Sequence, residues 1–484
     1  MEKKDKESSL GITVKKSEDI SEWYSEVVIK SELVDYSAVS GCLVFRPYSY
    51  AIWEIIVAET DKRLKKLGVQ NVYFPLFIPE SLLKKEAKHV EGFSPEVAWV
   101  TEAGDTKLNE RLAIRPTSET IMYDSYAKWI RSWRDLPIKY NQWNNVVRWE
   151  FKHPVPLIRT REFLWCEGHT VFATKEEAEK EIFEILHTWE DICTNYLALP
   201  YVKGRKSESE KFAGAVATYS LEFLLPNGRA AQGPDAHFDG QNFAKAFDIT
   251  FLNREGNKEF AWQNTWAITT RMLGIMVLMH GDDKGLILPP KVAPVQVVIV
   301  PILFDATREK VLREAHSIAK ELGKHVRVKL DDRTEYNPGW KYNEWEMKGV
   351  PLRIELGPKD VEHDQAVLVR RDTGKKETIK IASLSKKIEE ALEHIHTSLF
   401  EKAEKFLYGN IVDVRNFKDL GKAIKDKKMA HALFCGDEDC EAEIKEKTGA
   451  TSRVIPFDQK PVHEGKCVNC GKDAKFWIYF AKNY

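Results

Sequence analysis

The stretch "VVRWEFKHPVPLIRTREFLWCEGHT", residues 146–170, decides how this chain folds. Its two ends are rich in apolar and aromatic residues and read as β-strands, joined by a loop that holds Pro154 and Pro156. Arg148, Lys152, Arg159 and Arg161 nevertheless place four cations in that unit, with Glu150 two residues after the first of them. A solvated sheet face could carry such a pattern. The neighbouring segments argue for a ligand instead. Upstream, "LAIRPTSET" (112–120) is a strand that runs into a proline and a Ser/Thr/Glu cluster. Downstream, in "NTWAITTRMLGIMVLMHGD" (264–282), Arg271 opens a long apolar helix. An arginine at a helix start, facing a sheet, suits a phosphate, because the helix N-terminus adds its own positive field. Three separate segments thus offer arginine to a common anionic ligand, with carboxylates near enough to hold a metal ion. ATP fits that inventory better than a solvated surface does.

Working outward, the 484 residues are too many for one ordinary core, and two to four domains are expected. With 43% hydrophobic and 30% charged residues the composition is that of a soluble globular protein. No apolar run is long enough to cross a bilayer. The N-terminal "MEKKDKESSL" lacks the apolar core of a signal peptide, which argues for a cytoplasmic protein. A formal net charge of −1 means that a polyanionic partner must be met by local patches.

Residues 1–20 read as a polar tail, and 21–290 as one unit of long helices and aromatic-rich strands. Within it, 48–68 has helical apolar spacing and ends at Gly68, a C-cap. Residues 69–80 read as a strand, with Pro75 and Pro79 at its edge or end. Residues 174–200 read as a helix capped by Thr174. The prolines near 289–294 mark a boundary, and "VQVVIV" (295–300) is the continuous apolar run of a buried parallel strand. A helix (306–322), a strand (325–332), a helix (340–348) and a strand (351–357) follow, so 291–400 reads as an α/β module. The remainder, 401–484, carries a cysteine cluster.

Three of the seven cysteines, Cys42, Cys166 and Cys193, are scattered and read as ordinary buried thiols. The other four form two close pairs, Cys435 with Cys440 and Cys467 with Cys470, separated by about 27 residues. Two turns that each present two thiolates suit one tetrahedral Zn²⁺, and a four-sulfur shell leaves no open position for chemistry, so the ion is expected to be structural. His463 is an alternative ligand, but the cysteines already fill the shell.

In their order, the three arginine-bearing segments resemble the signature motifs of class II aminoacyl-tRNA synthetases. The helix and strand ending at Pro75 are similar to motif 1, Arg148-Trp149-Glu150 with its loop and Arg159 to motif 2, and the run ending in Arg271 to motif 3. With "LAIRPTSET", "FLWCEGHT", "PGWKYNEWEMKGVPLRIELGPKD" (338–360) and the C-terminal "FAKNY", nearly the whole chain resembles the prolyl-tRNA synthetases of archaeal and eukaryotic type. About 100 residues separate motifs 2 and 3, too few for the editing insertion of the bacterial type.

The resemblance implies an α+β fold: a six-stranded antiparallel catalytic sheet flanked by helices, an α/β anticodon-binding domain, and a small zinc-binding C-terminal domain. It implies a proline–tRNA ligase, dimeric through motif 1, that uses ATP with Mg²⁺, L-proline and tRNA(Pro). By the same resemblance, Thr117 and Glu119 would meet the substrate amine. Trp165, Glu167, His169 and Phe212 would form the amino-acid pocket, with His237 nearby. Arg148 would hold the α-phosphate and Arg271 the γ-phosphate, and Glu150, Arg159, Thr160, Gln232 and Thr269 would line the nucleotide site. Glu346, Arg353 and Lys359 match positions that read anticodon guanines.

The likeness departs in two places. Where the family often has "HxLGQNF", this chain reads "HFDGQNF", with Asp239 in the leucine's place. Val216 and Ala217 stand where Asp and Tyr are common. A synthetase-like RNA-binding protein without catalysis should have lost the arginines of motifs 2 and 3, yet Arg148, Glu150 and Arg271 are present. A class II ligase for threonine, glycine or histidine fits the "RPTSE" and "GPKD" blocks less well. A zinc hydrolase would need a His/Glu cluster and an open coordination position, which the cysteine pairs do not imply.

Overall fold

The computed structural model describes residues 11–87, 96–150, 153–459, 461, 462 and 464–484. His463, the alternative zinc ligand, and Phe151 and Lys152 of the opening stretch lie outside them.

Six strands make the sheet that carries the site: β1 (Ile138–Val147), β2 (Glu162–Phe172), β3 (Val202–Arg205), β4 (Ala217–Leu224), β5 (Arg229–Gly240) and β6 (Trp262–Thr269). Their spatial order is β3-β4-β5-β6-β2-β1, and every neighbouring pair is antiparallel. This is the six-stranded antiparallel core expected from the sequence.

The period of two divides the side chains between the faces. On β2, Trp165, Glu167 and His169 point to an open face that becomes the cavity. On the opposite face lies the helix Lys175–Asn195, with Ile182, Ile185 and Trp189 buried. Trp189 Nε1 donates to the Asp235 carbonyl, and Asn264 Nδ2 to the Ala178 carbonyl at 2.8 Å. Thr174 caps this helix in a capping box with Glu177. The helix stops at Asn195, short of the expected 200: Ala198 takes a left-handed φ of 52°, and Pro200 follows. Leu197 and Leu199 remain fully buried outside the helix, which is why the apolar pattern runs on past its end.

The helix Arg271–His280 is buried at every position from Met272 onward, so it is a core helix rather than an amphipathic one. Gly274 lets it approach: a Cβ there would stand 2.6 Å from Ile158 Cδ1 and 2.8 Å from Tyr24 Oη.

The segment 69–80 is not one strand. Gln70–Asn71 adds to the edge of β1, whereas Phe77–Pro79 pairs with Thr106–Ile114 in a separate three-stranded sheet. Pro75, with no amide hydrogen and a fixed φ, sits between the two pieces.

Beyond 290 a five-stranded sheet runs Val328–Leu330, Val297–Pro301, Leu352–Leu356, Gln365–Arg370 and Lys376–Lys380. Its first three strands are parallel and its last two pair antiparallel. The apolar run "VQVVIV" thus supplies a central, fully buried parallel strand. The helix Leu384–Gly409 follows and passes through position 400, where the sequence suggested a boundary.

The last strand, Phe476–Asn483, pairs parallel with β5 through Arg229–Lys482 and Ala230–Asn483. The C-terminal strands and the catalytic strands therefore belong to one 12-stranded sheet. A buried ion cluster reinforces the junction: Glu222 on β4 accepts from Lys206 Nζ at 2.5 Å and from Arg453 Nε at 2.8 Å. Among the described residues no helix is long and apolar enough to cross a membrane.

Candidate active site

The open face of the sheet holds a cavity of about 240 Å³. From β2 it receives Trp165, Glu167 and His169; from β5, Gln232, Asp235 and His237; from β6, Thr265 and Thr269. Thr117 and Glu119, at the start of the helix Glu119–Trp129, close one end, and Arg148 and Arg271 close the other. Phe212 and Thr160 complete the wall. Gly168 matters here: a Cβ would stand 2.1 Å from the Trp266 indole, so only glycine lets β2 and β6 keep this spacing.

Glu167 is the hub of the polar end. Its Oε1 accepts from Ser118 Oγ (2.5 Å), Gln142 Nε2 (2.8 Å) and Asn144 Nδ2 (2.7 Å). Its Oε2 accepts from the Ser118 amide at 3.0 Å and faces His169 Nε2 at 3.2 Å. Burial alone would raise this carboxyl, but the bonds and charge of His169, with Ser118 and Asn144, hold it down at about 2. Burial opposes charge on His169 as well, yet Glu167 and Glu119 together push its pKa above the ordinary value. Glu119 is bonded to the Thr117 hydroxyl, so the "RPTSE" segment presents a hydroxyl and a carboxylate side by side.

His237 differs. Its ring lies 4.7 Å from that of Phe212, Nδ1 meets Thr218 Oγ1 at 2.9 Å, and burial pushes its pKa down. Phe212 and His237 therefore form an aromatic wall in which charge on the imidazole is disfavoured, in contrast to the Glu167–His169 pair.

The cationic end is held open by carbonyls. Arg148 Nε donates to the Pro116 carbonyl at 3.1 Å, Arg271 Nε to Ile158 at 2.9 Å, and Arg271 Nη1 to Gln232 at 3.0 Å. Burial, then repulsion from Arg148, lowers Arg271 to about 10. Two guanidiniums that repel each other across a cavity, anchored on neutral groups, make a site for an anion.

A second cavity of about 260 Å³ shares Arg148, Gln232 and Arg271 and adds Arg159, Arg453 and Tyr484. Arg159 Nη1 donates to the Tyr484 main-chain oxygen at 2.8 Å, so the chain's last residue reaches the site. Glu150 lies outside the described walls of both cavities: it sits in the turn after Arg148, with Oε2 buried and unpartnered. Gln142, Asn144 and Ser118, which fix Glu167, escaped the sequence reading. The signal was available, since Gln142 and Asn144 are two apart on one face of β1.

Beyond 290, Arg353 on the strand Leu352–Leu356 and Glu346 on the helix Pro338–Met347 come together, with Nη1 to Oε1 at 3.3 Å. Arg353 also pairs with Glu355 at 2.9 Å and lies 4.2 Å above the Tyr342 ring. Lys359 lies on the short helix Pro358–Glu362.

The sulfurs of Cys435, Cys440, Cys467 and Cys470 all lie within 4.8 Å of one another. Two of the separations are 3.6 and 3.7 Å. Tetrahedral ligands at the ~2.3 Å Zn–S bond length would stand about 3.8 Å apart, so the thiols are compatible with zinc.

Three family descriptions match the chain: the tRNA synthetase class II core domain (G, H, P, S and T) over residues 99–280, the anticodon binding domain over 296–391, and the prolyl-tRNA synthetase C-terminal domain over 417–484. A proline–tRNA ligase of Natranaerobius thermophilus is 50% identical over 471 residues, covering 97% of each chain. A cytoplasmic proline–tRNA ligase of Arabidopsis thaliana is 49% identical and covers 99% of this chain and 92% of its own. The crystal structure of prolyl-tRNA synthetase from Cryptosporidium parvum, complexed with halofuginone and AMPPNP, superposes with a TM-score of 0.94 at 49% identity, covering 98% of this chain and all of that one. A class II core built on this antiparallel sheet, the two units that follow it, and half identity along nearly the whole length lead to one conclusion: the chain belongs to the prolyl-tRNA synthetase family of class II aminoacyl-tRNA synthetases.

Proposed function

We propose that the protein is a proline–tRNA ligase that activates L-proline with ATP and transfers the prolyl group to the 3′-terminal ribose of tRNA(Pro). The observation that carries the reading is the pair Arg148 and Arg271, whose guanidiniums face one cavity from two elements and donate only to carbonyls among the described residues. In the first step the substrate carboxylate attacks the α-phosphorus and pyrophosphate leaves. That nucleophile is already ionised at neutral pH, so no general base is needed. Arg148 takes the α-phosphate and Arg271 the γ-phosphate, stabilising charge as it develops in a buried site. Thr160, Gln232 and Thr269 line the nucleotide, Arg159 serves it from the second cavity, and Glu150 acts from the motif 2 turn. ATP comes with Mg²⁺, which neutralises phosphate charge.

Thr117 and Glu119 receive the secondary ammonium, and Trp165, Glu167, His169, Phe212 and His237 enclose the ring. The division of labour follows the chain: 21–290 for catalysis, 291–400 for the anticodon through Glu346, Arg353 and Lys359, and 401–484 as a zinc-stabilised module. The four cysteines would hold Zn²⁺ as a structural cross-link. A homodimer through the motif 1 region is supported by the exposed Tyr36, Tyr50, Tyr73 and Phe77. A cytoplasmic location accords with the plant relative.

The test is amino-acid-dependent ATP–pyrophosphate exchange with each of the twenty amino acids. Proline should support it above all others. Exchange only with amino acids other than proline would overturn the assignment.

A further inference from the structure

The mechanism leaves Asp239 unused. Its side chain is fully buried, and its one side-chain hydrogen-bonding neighbour among the described residues is the Thr265 hydroxyl. The Thr265 hydroxyl is buried beside it, and both polar atoms of the Gln263 amide are buried without partners among the described residues. These residues share one patch. Gln263 and Thr265 are two apart on β6, and β5 pairs His237 with Thr265 and Gly240 with Gln263. The register shifts between Phe238 and Gly240, which makes Asp239 the residue of a bulge, and Gly240 takes a φ of 63° there. A bulge re-aims a side chain and is common beside active sites. Asp239's two electrostatic neighbours are Glu119 and Thr265, both in the cavity wall. The patch therefore lies directly behind the wall that carries Glu119, His237 and Thr265.

Plain proline has nothing for this patch. Its amine is met by Thr117 and Glu119, its carboxylate belongs at the arginine end, and its ring is apolar. Leucine has the same branching and number of side-chain heavy atoms as aspartate and would line a plain ring without leaving polar atoms unmet. Burial and the Glu119 charge push the Asp239 carboxyl well above the usual range and so favour its protonated form. It then offers both an O–H donor and a carbonyl acceptor, and a hydroxyl, itself donor and acceptor, complements both.

Resting on the proposed function above, we propose that Asp239, with Thr265, is a specificity determinant that receives a hydroxyl on the substrate ring, so that ring-hydroxylated prolines are substrates of this enzyme. A site built to hydrogen-bond a substrate group discriminates strongly for it, whereas an apolar slot distinguishes poorly between a ring and its hydroxylated form.

The test is pyrophosphate exchange by the full-length protein with proline and with the cis and trans isomers of 3- and 4-hydroxyproline. At least one isomer should reach a kcat/KM within about tenfold of proline's. Asp239→Leu should lower the ratio of that isomer's kcat/KM to proline's by at least about tenfold, and Thr265→Val should move the ratio in the same direction. Should Asp239→Leu fail to fold, Asp239→Ala and Thr265→Val still read the same ratio. Exchange with proline but with no isomer overturns this inference alone, as does a ratio unchanged in the folded variants. Exchange with neither proline nor any isomer overturns the proposed function, and this inference with it.

Discussion

Replacing Glu167 with glutamine tests the centre of the site. The carboxylate is buried and ties together three segments: the Thr117–Ser118 turn, Gln142 and Asn144 on β1, and His169 on its own strand. Both of its oxygens accept from more than one donor. In Glu167→Gln one of them becomes an NH₂ group, and whichever way the amide turns, a donor faces donors. The depression from an ordinary 4.5 to about 2 gives the scale: at about 1.4 kcal/mol for each pKa unit, the network favours the ionised form by about 3 kcal/mol. The shift of His169 is the other side of the same interaction and is not added. We expect Glu167→Gln to lower the stability of the catalytic unit by about 3 kcal/mol, in the range for a buried charged partner removed from its network.

The pH dependence has a definite sign. The folded pKa is depressed, so this contribution is fully present above the unfolded value of about 4.3 and is lost as pH falls toward 2. The gap in stability between wild type and variant should therefore be widest between the two titrations, narrowing in acid as Glu167 protonates and again as pH rises through the raised pKa of His169. Urea midpoints across pH measure the gap, and hydrogen exchange at the Ser118 amide reports the local loss. Because the same carboxylate pins the turn that carries Thr117, the KM for proline should rise at least about tenfold, the equivalent of ~1.4 kcal/mol. A midpoint change worth less than about 1 kcal/mol together with an unchanged KM would refute the reasoning.

Arg148→Ala should reduce pyrophosphate exchange by about 100–1,000-fold with circular dichroism unchanged; a loss of less than about fivefold would remove Arg148 from the α-phosphate. Arg353→Ala should spare exchange and weaken tRNA charging by about 1–3 kcal/mol, and an equal fall in both assays would contradict the division of labour. Cys435→Ser, or chelation, should lower bound zinc and loosen residues beyond 400 first; fresh protein with less than about half a zinc per chain on metal analysis would contradict the site. Glu222→Gln leaves Lys206 and Arg453 buried without their shared countercharge, and should cost about 3–5 kcal/mol, read as a lowered urea midpoint.

What was legible in the sequence is what side-chain pattern encodes. Arginines at a strand end and at a helix start declared an anion site because nothing local explains them. Paired cysteines at short spacing declared a tetrahedral cluster. The unbroken apolar run at 295–300 declared a strand buried on both faces, and Val297–Val300 are indeed fully inaccessible. Each of these signals lies within a few consecutive residues.

The parts that stayed hidden depend on backbone pairing and on charges that meet across the chain. Arg229 and Ala230 pair with Lys482 and Asn483 through main-chain hydrogen bonds, and no side-chain pattern announces which strand edge will meet which. Lys206, Glu222 and Arg453 read as ordinary surface charges, because each is isolated in its own segment; only the fold makes them a cluster with almost no exposure. Asp239 stood out in "HFDGQNF" only as a departure from the family pattern; its place in a bulge beside Thr265 comes from the strand pairing. These hidden features have a common consequence. The C-terminal strand, the Arg453–Glu222 pair and the contact of Tyr484 with Arg159 all tie the last residues of the chain to the wall of the catalytic cavity. Loosening the cysteine module should therefore reach the arginine end of that cavity through the shared sheet, although no cysteine lies in its wall.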